Sequence, residues 1–331
     1  MRIAFIGTGS IVQGRHIPEA LREPGVEIAG FYDRKFSLAQ QLCAKYGGRA
    51  YESFEEMLAD ENADAALIAV PNCFHAPMSI AALKAGKHVL CEKPMALNLR
   101  EAEEMLQTAR DAKRVLMIAH NLHREPAFEK AKEYLLSGKL GRVLTFYSCI
   151  GNEGPEGDGK HTPWFFRSEL AGYGITADGA IHMLETLIHL LEEPFVKGRS
   201  ILATRDKKDA EGNLISLEDT GAYALQTQSG IVGTILTSWC LYDGWQSPLT
   251  LYCENGVLRV YPSPDLALTV TYKDGSTESM PRTPKSQWPH GSGVMHAFAR
   301  GVLEGQNPTA LAINGMRAVQ AMQMLLEDAK K

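Results

Sequence analysis

The sequence has no surplus of basic residues, no paired cysteines and no long apolar run. Its 331 residues carry 34 Lys and Arg against 39 Asp and Glu, a net charge of −5. No basic stripe is present to neutralise phosphates, which argues against a nucleic-acid partner. The six cysteines (Cys43, Cys73, Cys91, Cys149, Cys240 and Cys253) are scattered through apolar contexts, and none forms a C-x-x-C pair. Buried thiols in a reducing compartment are the expectation, with neither a disulfide framework nor a metal site. No apolar run reaches the ~18 residues of a membrane helix, so no membrane partner is expected. The opening "MRIAFIG" is already strand-like and lacks the basic region and cleavage site of a signal peptide. A cytoplasmic location follows as an expectation.

What is present is the composition of a soluble globular protein, with 45% hydrophobic and 22% charged residues and length enough for two domains. Through residue 120, short apolar strands alternate with helices. Strands are read at Arg2–Ile6, Val26–Tyr32, Ala65–Val70, His88–Cys91 and Val115–Ala119. Between them lie a helix from about Ile11, kinked or shortened by Pro18, and helices at Ser37–Tyr46, Phe74–Ala85 and Asn98–Ala112. Ser53 with Glu56, and Asn98 with Glu101, mark helix starts. Alternation of this kind implies parallel pairing, right-handed crossovers and a doubly wound sheet whose ligands bind at the C-terminal strand ends.

After residue 120 the texture changes. Helices at Pro126–Ser137 and Ile175–Leu191 flank a strand at Arg142–Ile150 and a glycine-rich loop over 152–162. Strand then follows strand from Ser200 to Thr277, with Asn255-Gly256 and Asp274-Gly275 as hairpin signals. The fold class is an α/β Rossmann domain over 1–120, then an α+β domain over 121–331 with a large, mainly antiparallel sheet. The C-terminal helix is free to pack back on the first domain. Helices on one face of that sheet leave the other for a second subunit, so a homodimer or homotetramer through it is expected.

Gly7-x-Gly9 follows the first strand and precedes a helix. Gly7 permits the tight turn, and Gly9 lets backbone approach a pyrophosphate at the helix N-terminus, with Ser10 and Ile11 beside it. The third glycine position is Val12, a departure. Asp33 ends the second strand, 24 residues after Gly9, where a carboxylate accepts from adenine-ribose hydroxyls. That favours NAD, while Arg34 keeps NADP open. Pro71, Asn72 and His75 follow the next inner strand as candidates to line the ribose or nicotinamide side, although His75 is equally suited to capping the helix there. Glu92 and Lys93 stand just past another strand end, fixed by Pro94, and Asn121 follows the last Rossmann strand. All are cofactor-lining candidates.

The motifs "VPNCFHAPMSIAALKAGKHVLCEKPMAL" and "GITADGAIHMLE", in this order, resemble those of the Gfo/Idh/MocA family of NAD(P)-dependent oxidoreductases. The resemblance implies a hydride moving between nicotinamide and a sugar or polyol carbon. It places the family's E-K-P lysine on Lys93 and its D-x-x-x-H pair on Asp178 and His182. Residue chemistry agrees: positions four apart share a helix face, imidazole takes a proton near neutral pH, and a lysine stabilises alkoxide character. Arg124, Trp164 and Arg167 join these three as substrate-binding candidates. Trp288 and His290 lie in a loop suited to closing over a site.

Two other readings remain open. An NAD-retaining glycosidase would work by oxidation and elimination and needs an extra acid or base, for which Glu153, Glu156, His161 and Tyr173 are near. A sensor of sugar or NAD would keep the fold without turnover.

Overall fold

Strand β1 (Arg2–Ile6) is apolar and buried from Ile3 onward, as a strand covered on both faces must be. The structure is a computed structural model and describes residues 1–156, 163–245, 247–305 and 309–331. Beyond β1 come α1 (Ile17–Arg22), β2 (Glu27–Tyr32), α2 (Phe36–Tyr46), β3 (Arg49–Tyr51), α3 (Phe54–Ala59), β4 (Ala65–Ile68), α4 (His75–Lys84), β5 (His88–Cys91), α5 (Leu99–Ala112) and β6 (Leu116–Ile118). The six strands form one parallel sheet in the order β3-β2-β1-β4-β5-β6. The order reverses between β1 and β4, and the crevice at that switch point is where such sheets bind ligands.

The expected helix caps are present. Ser53 accepts from the Glu56 backbone N–H at 3.0 Å, and Asn98 accepts from that of Glu101 at 3.0 Å. Before α1 the chain makes a π-helical turn, Val12–His16, which runs directly into α1 with Pro18 in its first turn.

The second half supplies α6 (Pro126–Leu136), β7 (Val143–Gly151), α7 (Ser168–Ala171), α8 (Ile181–Leu191), β8 (Phe195–Ala203), β9 (Thr220–Thr227), β10 (Val232–Ser238), β11 (Leu249–Cys253), β12 (Gly256–Val260), β13 (Leu266–Tyr272) and β14 (Thr277–Pro281). Helices α9 (Val294–Leu303) and α10 (Thr309–Asp328) close the chain. The eight strands run β14-β13-β12-β11-β7-β10-β9-β8, antiparallel except for the central pair β7 and β10. A parallel pair needs a long crossover, and α8, β8 and β9 lie within it. The two hairpin dipeptides join β11 to β12 and β13 to β14 as read.

Two units result: Met1–His120 with Trp288–Met316, and Asn121–Gln287 with Arg317–Lys331. Helix α9 therefore belongs to the first, where Val294, Met295 and Phe298 join a core with Phe5, Val12, Ile17 and Phe31. Among the described residues, no helix is long and apolar enough to cross a membrane.

Candidate active site

In the first unit, the candidate residues collect at the C-terminal ends of the parallel strands. Gly7 follows β1 with φ +88°, and a Cβ there would collide with the Ala69 carbonyl, so only glycine fits. Its N–H donates to the Tyr32 carbonyl at 2.8 Å. At Gly9 a Cβ would meet nothing within 4 Å; what glycine leaves there is open approach to the backbone. Ser10 is exposed beside it, and Ile11 directly precedes the π turn. Val12, in place of the third glycine, is wholly buried in the core, so the departure serves packing.

Asp33 is aimed at this loop. Its Oδ2 accepts from the backbone N–H of Thr8 at 3.0 Å and from the Thr8 hydroxyl at 2.7 Å, and its Oδ1 accepts from the Lys35 N–H at 2.9 Å. A carboxylate has about four acceptor sites, so ribose hydroxyls can still be held. Arg34 is exposed at the same turn. An open glycine backbone beside an anchored carboxylate fits a dinucleotide: Gly7 to Ile11 would hold the pyrophosphate and Asp33 the ribose. Pro71 and Asn72 open the turn after β4, with Asn72 buried.

His75 does not fit the cofactor-lining role. It is 1% exposed, with Nδ1 2.7 Å from the Pro94 carbonyl and Nε2 2.8 Å from that of Val70. Burial lowers its pKa against the pull of the two carbonyls. The ring braces the loop after β4 against the one after β5, and it does not cap α4. Glu92 also turns inward. Burial alone would raise its pKa, but the hydrogen bond and charge of His16, then Arg15 and Lys93, bring it down to about 2. Glu92 Oε1 lies 2.7 Å from His16 Nε2, and its Oε2 accepts from the Lys93 backbone N–H at 3.1 Å. Glu92 thus links the His16 ring to the Lys93 backbone. His16 was not legible as its partner, because 76 residues separate them.

In the second unit, a π-helical turn, Thr176–Ala180, runs directly into α8. Turns of this kind are rare and concentrate at functional sites. Asp178 lies in the turn, and His182 lies one turn on, 8% exposed. The turn is held on three sides. Glu218 Oε1 accepts from the N–H groups of Gly174 and Thr176 at 3.0 and 3.2 Å. The Thr176 hydroxyl is 2.8 Å from that of Tyr223. Gly179 packs so closely that a Cβ would come 2.9 Å from the Thr237 hydroxyl.

Two tryptophans lie against the Asp178 and His182 pair, and neither is among the candidates read from the sequence. The indole N–H of wholly buried Trp239 donates to Asp178 Oδ2 at 3.0 Å. Trp245 sets its ring at 86° to that of His182, centroids 6.0 Å apart. At the start of the second unit, Asn121 Oδ1 and the Nε and Nη2 of Arg124 are buried without a hydrogen-bond partner among the described residues. Burial lowers the Arg124 pKa against the attraction of Glu185 and Glu129. A guanidinium edge so placed suits an oxygen-rich ligand. His123 Nδ1 pairs with Glu185 Oε2 at 2.7 Å, which anchors the segment.

The remaining substrate candidates fare less well. Trp164 stacks on Phe165 at 4.0 Å and packs on the cluster around Ile175 and Trp239, so its ring face is largely spent on packing. Arg167 is exposed, its fork closed on Glu169 with Nε 2.7 Å from Oε1. Glu156 is ion-paired with Lys207 at 2.8 Å, and Lys207 also donates to the Glu153 carbonyl at 2.6 Å. His161 lies outside the described residues.

Comparison with known proteins follows the same lines. A family profile described as an oxidoreductase family with an NAD-binding Rossmann fold matches residues 1–120, and one described as the GFO/IDH/MocA C-terminal domain matches residues 128–259. D-Glucoside 3-dehydrogenase of Escherichia coli (strain K12) is 33% identical over 201 residues, 60% of this chain and 56% of that protein. scyllo-Inositol 2-dehydrogenase (NADP(+)) of Bacillus subtilis (strain 168) is 27% identical over 298 residues, 85% of this chain and 82% of that protein. The chain spans about half the length of the relatives it matches at 32–33% identity. Levoglucosan dehydrogenase, solved in complex with NADH and levoglucosan, shares the fold with a TM-score of 0.87 over 100% of this chain and 97% of that one, at 21% identity. With profiles for both of its domains matched in order, the chain belongs to the Gfo/Idh/MocA family of oxidoreductases.

Proposed function

We propose that this protein is an NAD(P)-dependent dehydrogenase that moves a hydride between nicotinamide and a hydroxyl-bearing carbon of a sugar, sugar derivative or cyclitol. The observation that carries the reading is Asp178, fixed by the Trp239 indole one turn before the nearly buried imidazole of His182. A surface Asp-His pair has no need of a buried tryptophan to orient it.

The nicotinamide, when bound, accepts the hydride from the carbon or returns it. His182 takes the hydroxyl proton as the carbonyl forms and gives it back in the reverse direction. Lys93, its side chain following a backbone N–H that donates to Glu92, stabilises negative charge as it develops. Asp178 orients the imidazole or binds a neighbouring hydroxyl. Arg124 meets a substrate oxygen. Gly7, Gly9, Ser10, Ile11 and Asp33 hold the dinucleotide, with Pro71 and Asn72 beside it. Asp33 favours NAD, and exposed Arg34 allows NADP.

Redox-neutral glycoside cleavage is the weaker reading, because Glu156 is engaged by Lys207 and no other acid is singled out. The test is a screen of sugars and cyclitols with NAD+ and NADP+, reading reduced cofactor, on wild type, Lys93→Ala and His182→Ala. Each variant is expected to lose about 10²-fold or more in kcat while still binding NAD. Turnover undiminished in both would overturn the assignment.

The outer face of the eight-stranded sheet supports assembly through it. Ile201 is 78% exposed, Val232 51%, Tyr147 50% and Leu236 44%. We infer that a second copy of this chain covers this face, as a homodimer or within a homotetramer. Sedimentation of wild type against a Tyr147→Lys/Leu236→Lys variant tests it. A monomeric wild type would refute it.

A further inference from the structure

Outside the residues assigned above, one cluster in the first unit has the chemistry of a metal site. Glu19 and Glu23 lie four apart on α1 and its C-cap, so both carboxylates emerge on one side. Their tasks differ. Glu19 is spent on the start of α9: it accepts from the Ser292 N–H at 2.7 Å and the Ser292 hydroxyl at 3.1 Å. That bond fixes the loop before α9, and the burial of Val294, Met295 and Phe298 fixes the helix. Glu23 is left to face His296, whose Nδ1 lies 3.0 and 3.2 Å from its two oxygens. His290 comes from the loop before α9 and stacks on His296, ring centroids 3.7 Å apart and planes within 16°. One donor atom from each of Glu23, His290 and His296 lies within 4.8 Å of the others.

The second imidazole is what a simple ion pair does not explain. Glu23 alone accounts for His296 Nδ1. Two imidazoles face to face beside one carboxylate is a poor arrangement for two cations and a good one for two neutral nitrogen donors. We propose that Glu23, His290 and His296 form a binding site for a divalent transition-metal ion of the zinc class. Two imidazole nitrogens and one carboxylate oxygen match the preference of Zn2+ and its neighbours, with a fourth position for water. The set is short of the six to eight oxygens that Ca2+ takes and offers little to Mg2+. Binding replaces the His296–Glu23 hydrogen bond by two metal bonds, turns the stacked rings to fan about the ion, and ties α1 to the loop before α9.

The experiment uses the full-length protein without an affinity tag, stripped with chelator. Zn2+ is titrated by calorimetry and Co2+ by its visible ligand-field absorption, with Mg2+ as the control. The expected result is one equivalent of Zn2+ or Co2+ and no heat from Mg2+. His290→Ala, chosen because His290 is exposed and carries no core packing, and Glu23→Gln are each expected to weaken binding by at least ~10-fold with circular dichroism unchanged. Absence of saturable binding in wild type overturns the proposal. So does equal affinity in wild type and both variants, which would place the ion on other groups such as the half-buried thiols Cys43 and Cys73.

Discussion

Glu92→Gln isolates the charge that holds the Lys93 loop. The substitution keeps the shape of the side chain and removes its ionisation. Glu92 is 9% exposed, 2.7 Å from His16 Nε2 and 3.9 Å from Arg15. Its pKa falls from 4.5 to about 2. At 1.36 kcal/mol per pH unit this fall corresponds to about 3 kcal/mol of stability at neutral pH. A depressed carboxylate contributes fully above its unfolded pKa, and the contribution is lost as pH falls through the folded one. By about pH 3 only about 1 kcal/mol of it should remain. Urea unfolding of wild type and variant, followed by circular dichroism from about pH 3 to pH 7, measures the difference directly. It is expected to be largest at neutral pH and to shrink by more than half at the acid end. A difference that is flat with pH, or absent, would refute the view that an ionised Glu92 organises this loop. Because Glu92 also accepts from the Lys93 N–H, kcat is expected to fall in the variant while NAD affinity stays close to that of wild type.

Gly9→Ala should leave thermal stability unchanged, since the added methyl meets nothing, and weaken NAD by at least ~10-fold because it occupies the pyrophosphate approach. Equal cofactor affinity by fluorescence titration would remove Gly9 from the binding surface. Gly7→Ala is expected instead to destabilise the fold, through both the Ala69 clash and the positive φ. Asp33→Ser should shift preference from NAD+ toward NADP+ by about tenfold in kcat/KM, and an unchanged ratio would deny Asp33 its ribose. Trp239→Phe removes one N–H from a carboxylate, a bond of about 1.5–3 kcal/mol, so kcat should drop by at least ~10-fold with an altered pH profile and little change in KM. A drop in stability with an unchanged profile would make Trp239 a packing residue only.

The parallel sheet, the mainly antiparallel sheet, both helix N-caps and both hairpin turns were legible because each is written in neighbouring residues. Turn glycines, period-two alternation and S-x-x-E spacing act within a few positions, and short-range sterics decide them. The same holds for the half of the site that lies on strand ends: Gly7, Gly9 and Asp33 are placed by the sheet that carries them. What escaped was every pairing across the chain. His75 and Glu92 read as cofactor contacts because a polar residue after a strand usually faces the ligand crevice. Their side chains instead pair within the protein, His75 on the Val70 and Pro94 carbonyls and Glu92 on His16 and the Lys93 N–H. Trp239 is 61 residues from Asp178, and His296 is 273 from Glu23. Neither distance leaves a periodic trace. The division follows from the physics: backbone geometry is a local property, whereas a buried polar group takes whichever partner the tertiary fold brings to it. The residues that orient Lys93 and Asp178, Glu92 and Trp239, are of that second kind. The proposed reactive groups stand in local motifs, whereas the partners that hold them are set by the fold.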